Sequence, residues 1–138
     1  MADLATLRDL RDRLANATGA SDELDERIAL AFYPDCFADA EKTPAGWRHA
    51  RFGGIRIDPA TASIDAAVAL CARVLPGTSL IMRRGYLGDY AACNVGKEPG
   101  GFRARETWGN AERPDNELAL AICRAIVEGL IAQEEANG

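Results

Sequence analysis

Apolar residues recur every three or four positions in the first part of the chain, which predicts two short helices. The first spans about 2–18 and ends near Gly19, with its stripe on Leu4, Leu7, Leu10 and Leu14. The second starts after Ser21, whose hydroxyl suits a helix N-cap, and its stripe is Leu24, Ile28, Ala31 and Phe32. We therefore predict a helical hairpin over residues 1–34.

The helical period is lost between residues 35 and 58, where glycine and proline recur. The apolar anchors of this stretch are Trp47, Phe52, Ile55 and Ile57. We predict an ordered irregular segment with one short strand at 54–57. A connection this long is unusual in a compact domain, so the segment either packs across the core or carries function.

A third helix is predicted in the stretch 59–77, PATASIDAAVALCARVLPG. Pro59 starts a turn, Thr61 or Ser63 supplies the N-cap oxygen, and Pro76 with the following glycine ends the helix. The serine and aspartate also allow a catalytic pair, but no histidine or lysine accompanies them as the base that a nucleophile needs. The structural interpretation is the better one.

The period changes to two after residue 77, which predicts three strands at 78–84, 90–95 and 102–108 with short turns between them. A last amphipathic helix follows from near Asp115 to about Glu134, with its stripe on Leu118, Ala121, Ile122, Ala125, Ile126 and Leu130. The predicted class is α+β: a helical hairpin, a helix, a three-stranded antiparallel meander and a C-terminal helix in a layered α/β/α-type sandwich. The 138 residues form a single domain, with the α-β-β-β-α core at 59–138.

Composition narrows the class of protein further. The four cysteines are far apart in the sequence, at Cys36, Cys71, Cys93 and Cys123, which favours free thiols in a cytoplasm over disulfides or a zinc site. No apolar run reaches the length of a membrane helix, and the charged N-terminus does not resemble a signal peptide. We predict a cytoplasmic protein without a cofactor, a bound metal or a membrane partner.

The net charge of −5 is unevenly distributed, because the middle of the chain is basic and both ends are acidic. Strand alternation with Leu80, Phe102 and Trp108 facing the helices puts a set of polar residues on the opposite face. These are Arg83, Tyr90, Asn94, Arg103 and Arg105. Such a set can clamp a phosphate or carboxylate and stack a base, although long arginines also serve simply to solvate the outer face of a sheet.

A second candidate surface is acidic and lies at the start of the second helix. It consists of Asp22, Glu23, Asp25 and Glu26, on what we expect to be the outer faces of the helices. An acidic surface of this kind is suited to a basic protein partner and predicts steep salt dependence of binding.

Three blocks of the sequence, ATGASDELDERIALAF (17–32), PATASIDAAVAL (59–70) and NELALAICRAIVEGLIAQE (116–134), carry a family resemblance. Together they resemble small uncharacterised proteins of alphaproteobacterial phages and prophages, and are similar to the phage ABA-sandwich domain. The chain departs from that pattern in having Ala60 in place of an aromatic residue, and Asp115-Asn116 in place of Thr-Pro. The resemblance implies a phage-borne α+β domain and transfers no activity.

These features favour a non-enzymatic binding protein. The expected role is that of an antagonist of a bacterial defence system, which binds a host protein or sequesters an anionic signalling nucleotide. A structural or assembly accessory that acts by oligomerisation is the alternative. A double-stranded RNA-binding module has a similar order of elements, but Asp115 and Glu117 would repel phosphates at the start of the last helix. His49 is the single histidine, and no sequence neighbour orients it as a catalytic base.

Overall fold

The computed structural model describes residues 2–17, 19–77, 79–85, 88–95, 102–103, 107–108 and 116–137, and beyond residue 78 it describes side chains for Leu80 and 118–136. The helices in this part of the chain are α1 (Leu4–Asn16), α2 (Asp22–Phe32), α3 (Ile64–Val74) and α4 (Asn116–Asn137), with a 3-10 turn at Pro34–Phe37. The strands are β1 (Ala40–Thr43), β2 (Gly46–His49), β3 (Gly53–Gly54), β4 (Ser79–Gly85), β5 (Gly88–Val95), β6 (Phe102–Arg103) and β7 (Thr107–Trp108). The predicted α+β class and order of elements are confirmed.

The N-terminal helical hairpin forms as predicted, but α1 ends by a different device. Ser21 caps α2, since its hydroxyl accepts the Leu24 backbone N–H at 3.2 Å. At the end of α1, the guanidinium of Arg124 donates to the carbonyl oxygens of Leu14 (2.8 Å) and Ala17 (3.0 Å). A cation on α4 thus satisfies the last carbonyl groups of α1. The sequence predicts instead that Gly19 ends this helix.

Residues 35–58 are more regular than the sequence predicts. Strands β1, β2 and β3 form a small antiparallel sheet in that order, and the predicted strand at 54–57 is replaced by the two-residue strand β3. Gly46 and Gly53 have positive φ angles of 113° and 82°, so these glycines provide the backbone conformations that the tight connections need. Phe52 was predicted as an apolar anchor, but it lies in the β2–β3 turn and is 81% exposed.

The larger sheet is built around β5. Strand β4 pairs with one side of β5 in antiparallel register from Ser79↔Asn94 to Gly85↔Gly88. Strands β6 and β7 both pair antiparallel with β5 as well, over the stretch that the sequence predicted as one strand at 102–108. The predicted meander therefore forms, with its last strand described as two short pieces.

Helix α4 lies at the centre of the helical core. It contacts α1 and α3 and also packs against the strands of the larger sheet. Its buried positions run almost without interruption along the helix: Leu118, Ala119, Leu120, Ala121, Ile122, Cys123, Ala125, Ile126, Val127, Leu130 and Ile131. The sequence predicted an amphipathic helix with one apolar stripe. The structure instead buries nearly every face of α4 between 118 and 131, where Arg124 and Glu128 are half-buried, because helices and strands both pack against it.

Candidate functional site

A partly enclosed cavity of about 230 Å³ lies between α2 and α3. Helix α2, the 3-10 turn, the segment after β3 and helix α3 all contribute to its wall. Its lining residues are Asp25, Ile28, Ala29, Tyr33, Cys36, Phe37, Ile55, Arg56, Asp58, Ala60, Ala66 and Leu70. Most of the lining is apolar, with a few polar groups, which is the usual character of a small-molecule site. We refer to this space as the α2–α3 cavity.

The most unusual polar group of the α2–α3 cavity is the carboxylate of Asp25, which is 5% exposed. Its Oδ1 accepts the backbone N–H of Thr61 at 2.8 Å and the Thr61 hydroxyl at 2.7 Å. The same hydroxyl oxygen accepts the backbone N–H of Ser21 at 3.0 Å. Thr61, which the sequence offered as an alternative helix cap, therefore ties the start of α2 to the turn before α3, while Ser63 caps α3.

A buried thiol completes this polar cluster. Cys123 of α4 donates its S–H to the carbonyl oxygen of Ala60 at 3.3 Å. Burial, reinforced by the nearby negative charge of Asp25, raises the pKa of Cys123 to about 12. The thiol is thus neutral at physiological pH and serves as a hydrogen-bond donor from the central helix to the turn that carries Thr61.

At the rim of the α2–α3 cavity, the guanidinium of Arg73 lies over the aromatic ring of Tyr33. The guanidinium carbon of Arg73 lies 4.4 Å from the centre of the Tyr33 ring, and its Nε donates to the Phe32 carbonyl at 3.1 Å. Burial, and then the negative charge of Asp58, raise the pKa of the Tyr33 hydroxyl. Tyr33 therefore presents a neutral phenol beside the exposed carboxylate of Asp58.

The small sheet β1–β3 supports the outer wall of the cavity. Phe37, which lines the cavity, packs edge-on against Trp47 of β2 with 5.2 Å between ring centres. The Trp47 indole N–H donates to Glu26 at 3.2 Å, and Lys42 donates to the same carboxylate at 2.8 Å. Chiefly the Lys42 hydrogen bond holds the pKa of Glu26 below its usual value. Residues 35–58 thus form one wall of the α2–α3 cavity.

The four predicted acidic interface residues do not form one outward surface. Asp22 is exposed as expected, whereas Asp25 is buried against Thr61 and its placement on the outer face was wrong. Glu26 is occupied by Lys42 and Trp47. Much of the predicted acidic surface is therefore engaged within the protein.

Glu23 belongs to a ring of alternating charges that joins α1 and α2. Its carboxylate lies 3.3 Å from Arg27 and 3.8 Å from Arg13. Both arginines also reach Asp9, at 3.9 Å and 2.9 Å respectively. The ring is exposed, so each pair stabilises the hairpin only slightly, by about 0.2–1 kcal/mol.

The predicted arginine face falls largely outside the described side chains, and Arg105 lies outside the described residues altogether. The backbone register does pair Arg83 with Tyr90 and Asn94 with Arg103. Leu80, one position from the start of β4, packs against the core, and the positions of those four residues alternate with it. The register is thus compatible with the predicted face, and binding there stays a prediction.

The position of Trp108 lies on the opposite face of the sheet from the one that regular strand alternation predicts. Arg103 pairs with Asn94 and Thr107 pairs with Ala91, so the two pairings are four positions apart between β6 and β7 but three positions apart on β5. One extra residue reverses the alternation. Trp108 consequently pairs with Tyr90, and its position belongs to the Tyr90 face of the ladder and not to the helix-facing one.

His49 has a local structural role. Its Nδ1 accepts the backbone N–H of Arg51 at 3.1 Å, and its ring lies 4.9 Å from that of Phe52. Within the part of the chain that the structure describes, no group of histidine, cysteine and carboxylate side chains is arranged to hold a metal ion. No helix in the same described part has the length and apolar character needed to cross a bilayer.

Cysteine reactivity provides a direct check on these environments. With iodoacetamide at pH 7.5 we expect Cys36 to be alkylated at least ~100-fold faster than Cys71 or Cys123, because Cys36 is exposed and the other two are buried. The raised pKa of Cys123 alone lowers its thiolate population roughly a thousandfold. Peptide mapping by mass spectrometry after timed quenching measures the rates. Equal modification of Cys123 and Cys36 in the folded protein would contradict the description of the core.

The chain matches no family model, no curated protein and no solved structure.

Proposed function

We propose that this protein is a non-enzymatic binding protein that holds a small molecule in the α2–α3 cavity. The observation that carries the proposal is the cavity itself: about 230 Å³ of space lined mainly by apolar side chains and a buried carboxylate. A cavity of ~150 Å³ is large enough for a benzene ring, so this space suits a ligand of one or two rings. Contributions from α2, α3, the 3-10 turn and the segment after β3 give the site walls that are fixed by the fold.

The cavity is expected to be sensitive to filling from α3. Ala66 lines it and is half-buried, so Ala66→Leu should occupy part of the space and weaken binding at least ~10-fold. Ala69→Leu is the matched control, since Ala69 is exposed on the same helix. Titration of each variant with indole, followed by calorimetry and by protection of Cys36 from iodoacetamide, measures the effect.

Native mass spectrometry adds a test for a ligand acquired in cells. Wild-type protein purified from bacteria should carry a small molecule that is released on denaturation, that Ala66→Leu lacks and that Ala69→Leu retains. The proposal fails if no such molecule is present and if indole neither binds to the wild type nor slows alkylation of Cys36. Indole binding that Ala66→Leu leaves unchanged also contradicts it, because the ligand would then lie elsewhere.

A second candidate is the capture of an anionic ligand, such as a signalling nucleotide, on the face of the larger sheet opposite to Leu80. The register favours it, since the positions of Arg83, Tyr90, Asn94, Arg103 and Trp108 fall on one face of the ladder. Guanidiniums can clamp phosphate oxygens while the aromatic rings stack on a base. Under this candidate, a molecule released from the native protein carries phosphate, and filling the α2–α3 cavity does not affect it.

For the biological role we propose antagonism of a bacterial defence system in the host cytoplasm. The support comes from the resemblance to small phage and prophage proteins and from four widely spaced cysteines, which suit a reducing compartment. Binding of a host protein through the acidic helices remains part of this proposal, with Asp22 and Glu23 the exposed members of the four predicted residues. An assembly accessory that acts through oligomerisation is the alternative.

A further inference from the structure

The charged groups of the α2–α3 cavity are unevenly distributed between its buried part and its solvent-exposed part. Two carboxylates, Asp25 and Asp58, line it together with one guanidinium, that of Arg56, and a second guanidinium, that of Arg73, lies over Tyr33 at the rim. The carboxylate of Asp25 is buried, whereas Asp58 and Arg56 are exposed to solvent, which weakens their fields by screening. The charge that a bound ligand meets in the protected part of the cavity is therefore negative.

Asp25 is a buried carboxylate that has hydrogen-bond donors but no cation beside it within the described part of the chain. Both donors come from Thr61 and both go to Oδ1. No described residue donates to Oδ2, and no described lysine or arginine forms an ion pair with this carboxylate. Burial of a carboxylate without a counter-charge costs free energy, which an arriving cation would partly offset.

Building on the ligand-binding function proposed above, we propose that the α2–α3 cavity selects a small amine, with an apolar body in the cavity and an ammonium group at Asp25. The apolar body packs against the side chains that α2 and α3 contribute, such as Ile28 and Leu70. The ammonium donates to the carboxylate as a charge-assisted hydrogen bond, which is stronger than a neutral one. Asp58 at the rim attracts the same cation during entry.

Three probes share an indole ring and differ in charge: the cation tryptamine, neutral indole and the anion indole-3-propionate. By isothermal titration calorimetry on the full chain, we expect tryptamine to bind with a dissociation constant of roughly 0.1–1 mM, as fits a ligand of its size. Indole should bind roughly tenfold more weakly, and indole-3-propionate more weakly still. This comparison uses the wild-type protein and does not depend on how any variant folds.

Variants then assign the preference to Asp25. Asp25→Asn keeps an oxygen that can accept from Thr61 while it removes the charge, so the tenfold preference for tryptamine over indole should be largely lost. Asp22→Asn removes an exposed carboxylate from the same helix and should leave the tenfold preference unchanged. Asp58→Asn should reduce the preference by a smaller factor of about two to three, because this carboxylate is exposed. It also provides a second test if Asp25→Asn does not fold.

The outcomes distinguish the two proposals. Equal binding of indole and tryptamine to the wild type, or tighter binding of indole-3-propionate, overturns the selection of amines and leaves a cavity that binds ligands by shape. An amine preference that survives in Asp25→Asn also overturns it, since the charge responsible would lie elsewhere. If none of the three probes binds, the selection of amines is overturned, and the binding function falls with it when the purified protein also carries no small molecule.

Discussion

Replacement of Leu120 by alanine is expected to lower the free energy of unfolding by about 2–5 kcal/mol. Leu120 is 0% exposed and lies on α4, which is covered by α1 and α3 on one side and by strands of the larger sheet on another. Removing three buried carbons forfeits their transfer free energy and leaves a cavity that rigid neighbours fill only partly. Urea unfolding followed by circular dichroism measures the change through the shift of the midpoint.

Two further substitutions serve as controls for this prediction. Ile126 belongs to the apolar stripe that the sequence indicates, whereas Leu120 lies off that stripe, yet both are 0% exposed. We expect Ile126→Ala and Leu120→Ala to have similar costs. Leu30 is 38% exposed on α2, so Leu30→Ala should cost less than about 1 kcal/mol. If Leu120→Ala behaved like Leu30→Ala, the central position of α4 would be wrong.

The helices could be predicted from the sequence because their signals are local. Ser21 and Ser63 each precede an apolar stripe of period 3.6, and both serines do accept the backbone N–H three residues later. The same holds for β4 and β5, whose period of two and short turn define the hairpin. These elements depend on neighbours within a few residues, which is the range that a single sequence reveals.

The sequence does contain a signal for the burial of α4 on nearly every face, in addition to its apolar stripe. Between 118 and 131 the chain has just two charged residues, Arg124 and Glu128. A helix that is apolar on nearly every face belongs inside a protein and not on its surface. Arg124 itself faces the end of α1, where it donates to Leu14 and Ala17, so even this charge has an interior partner.

The α2–α3 cavity could not be predicted, because its residues meet only through tertiary packing. Asp25 and Thr61 are 36 positions apart, and each has a sufficient local explanation, as a helix-dipole acid and as a helix cap. The one available hint is that Asp25 lies next to Leu24 and three positions before Ile28, both on the buried stripe of α2. In the same way, the shift of one position between the pairings of Arg103 and Thr107 moves Trp108 to the other face of the sheet. The alternation of apolar and polar residues does not reveal this shift.

Replacement of Thr61 by valine is expected to lower the free energy of unfolding by about 2–4 kcal/mol. Valine has nearly the same shape as threonine, so packing changes little. The loss arises because the hydroxyl that donates to Asp25 at 2.7 Å and accepts from the Ser21 N–H at 3.0 Å disappears. The carboxylate then keeps one of its two donors and stays buried, and the N–H at the start of α2 loses its acceptor. Chemical unfolding of the two proteins at pH 7 measures the difference.

Thr61→Ser provides the matched control, since it keeps the hydroxyl and removes one buried methyl group. That methyl is worth about 1 kcal/mol, so serine should cost less than valine if the hydrogen bonds dominate. The reverse order would mean that Thr61 acts mainly by packing and that the buried carboxylate of Asp25 does not need it. If serine costs less than valine, the contact between α2 and the turn before α3 is mainly polar. The geometry of the α2–α3 cavity then depends on this contact, because Asp25 is both a hydrogen-bond partner of Thr61 and part of the cavity wall.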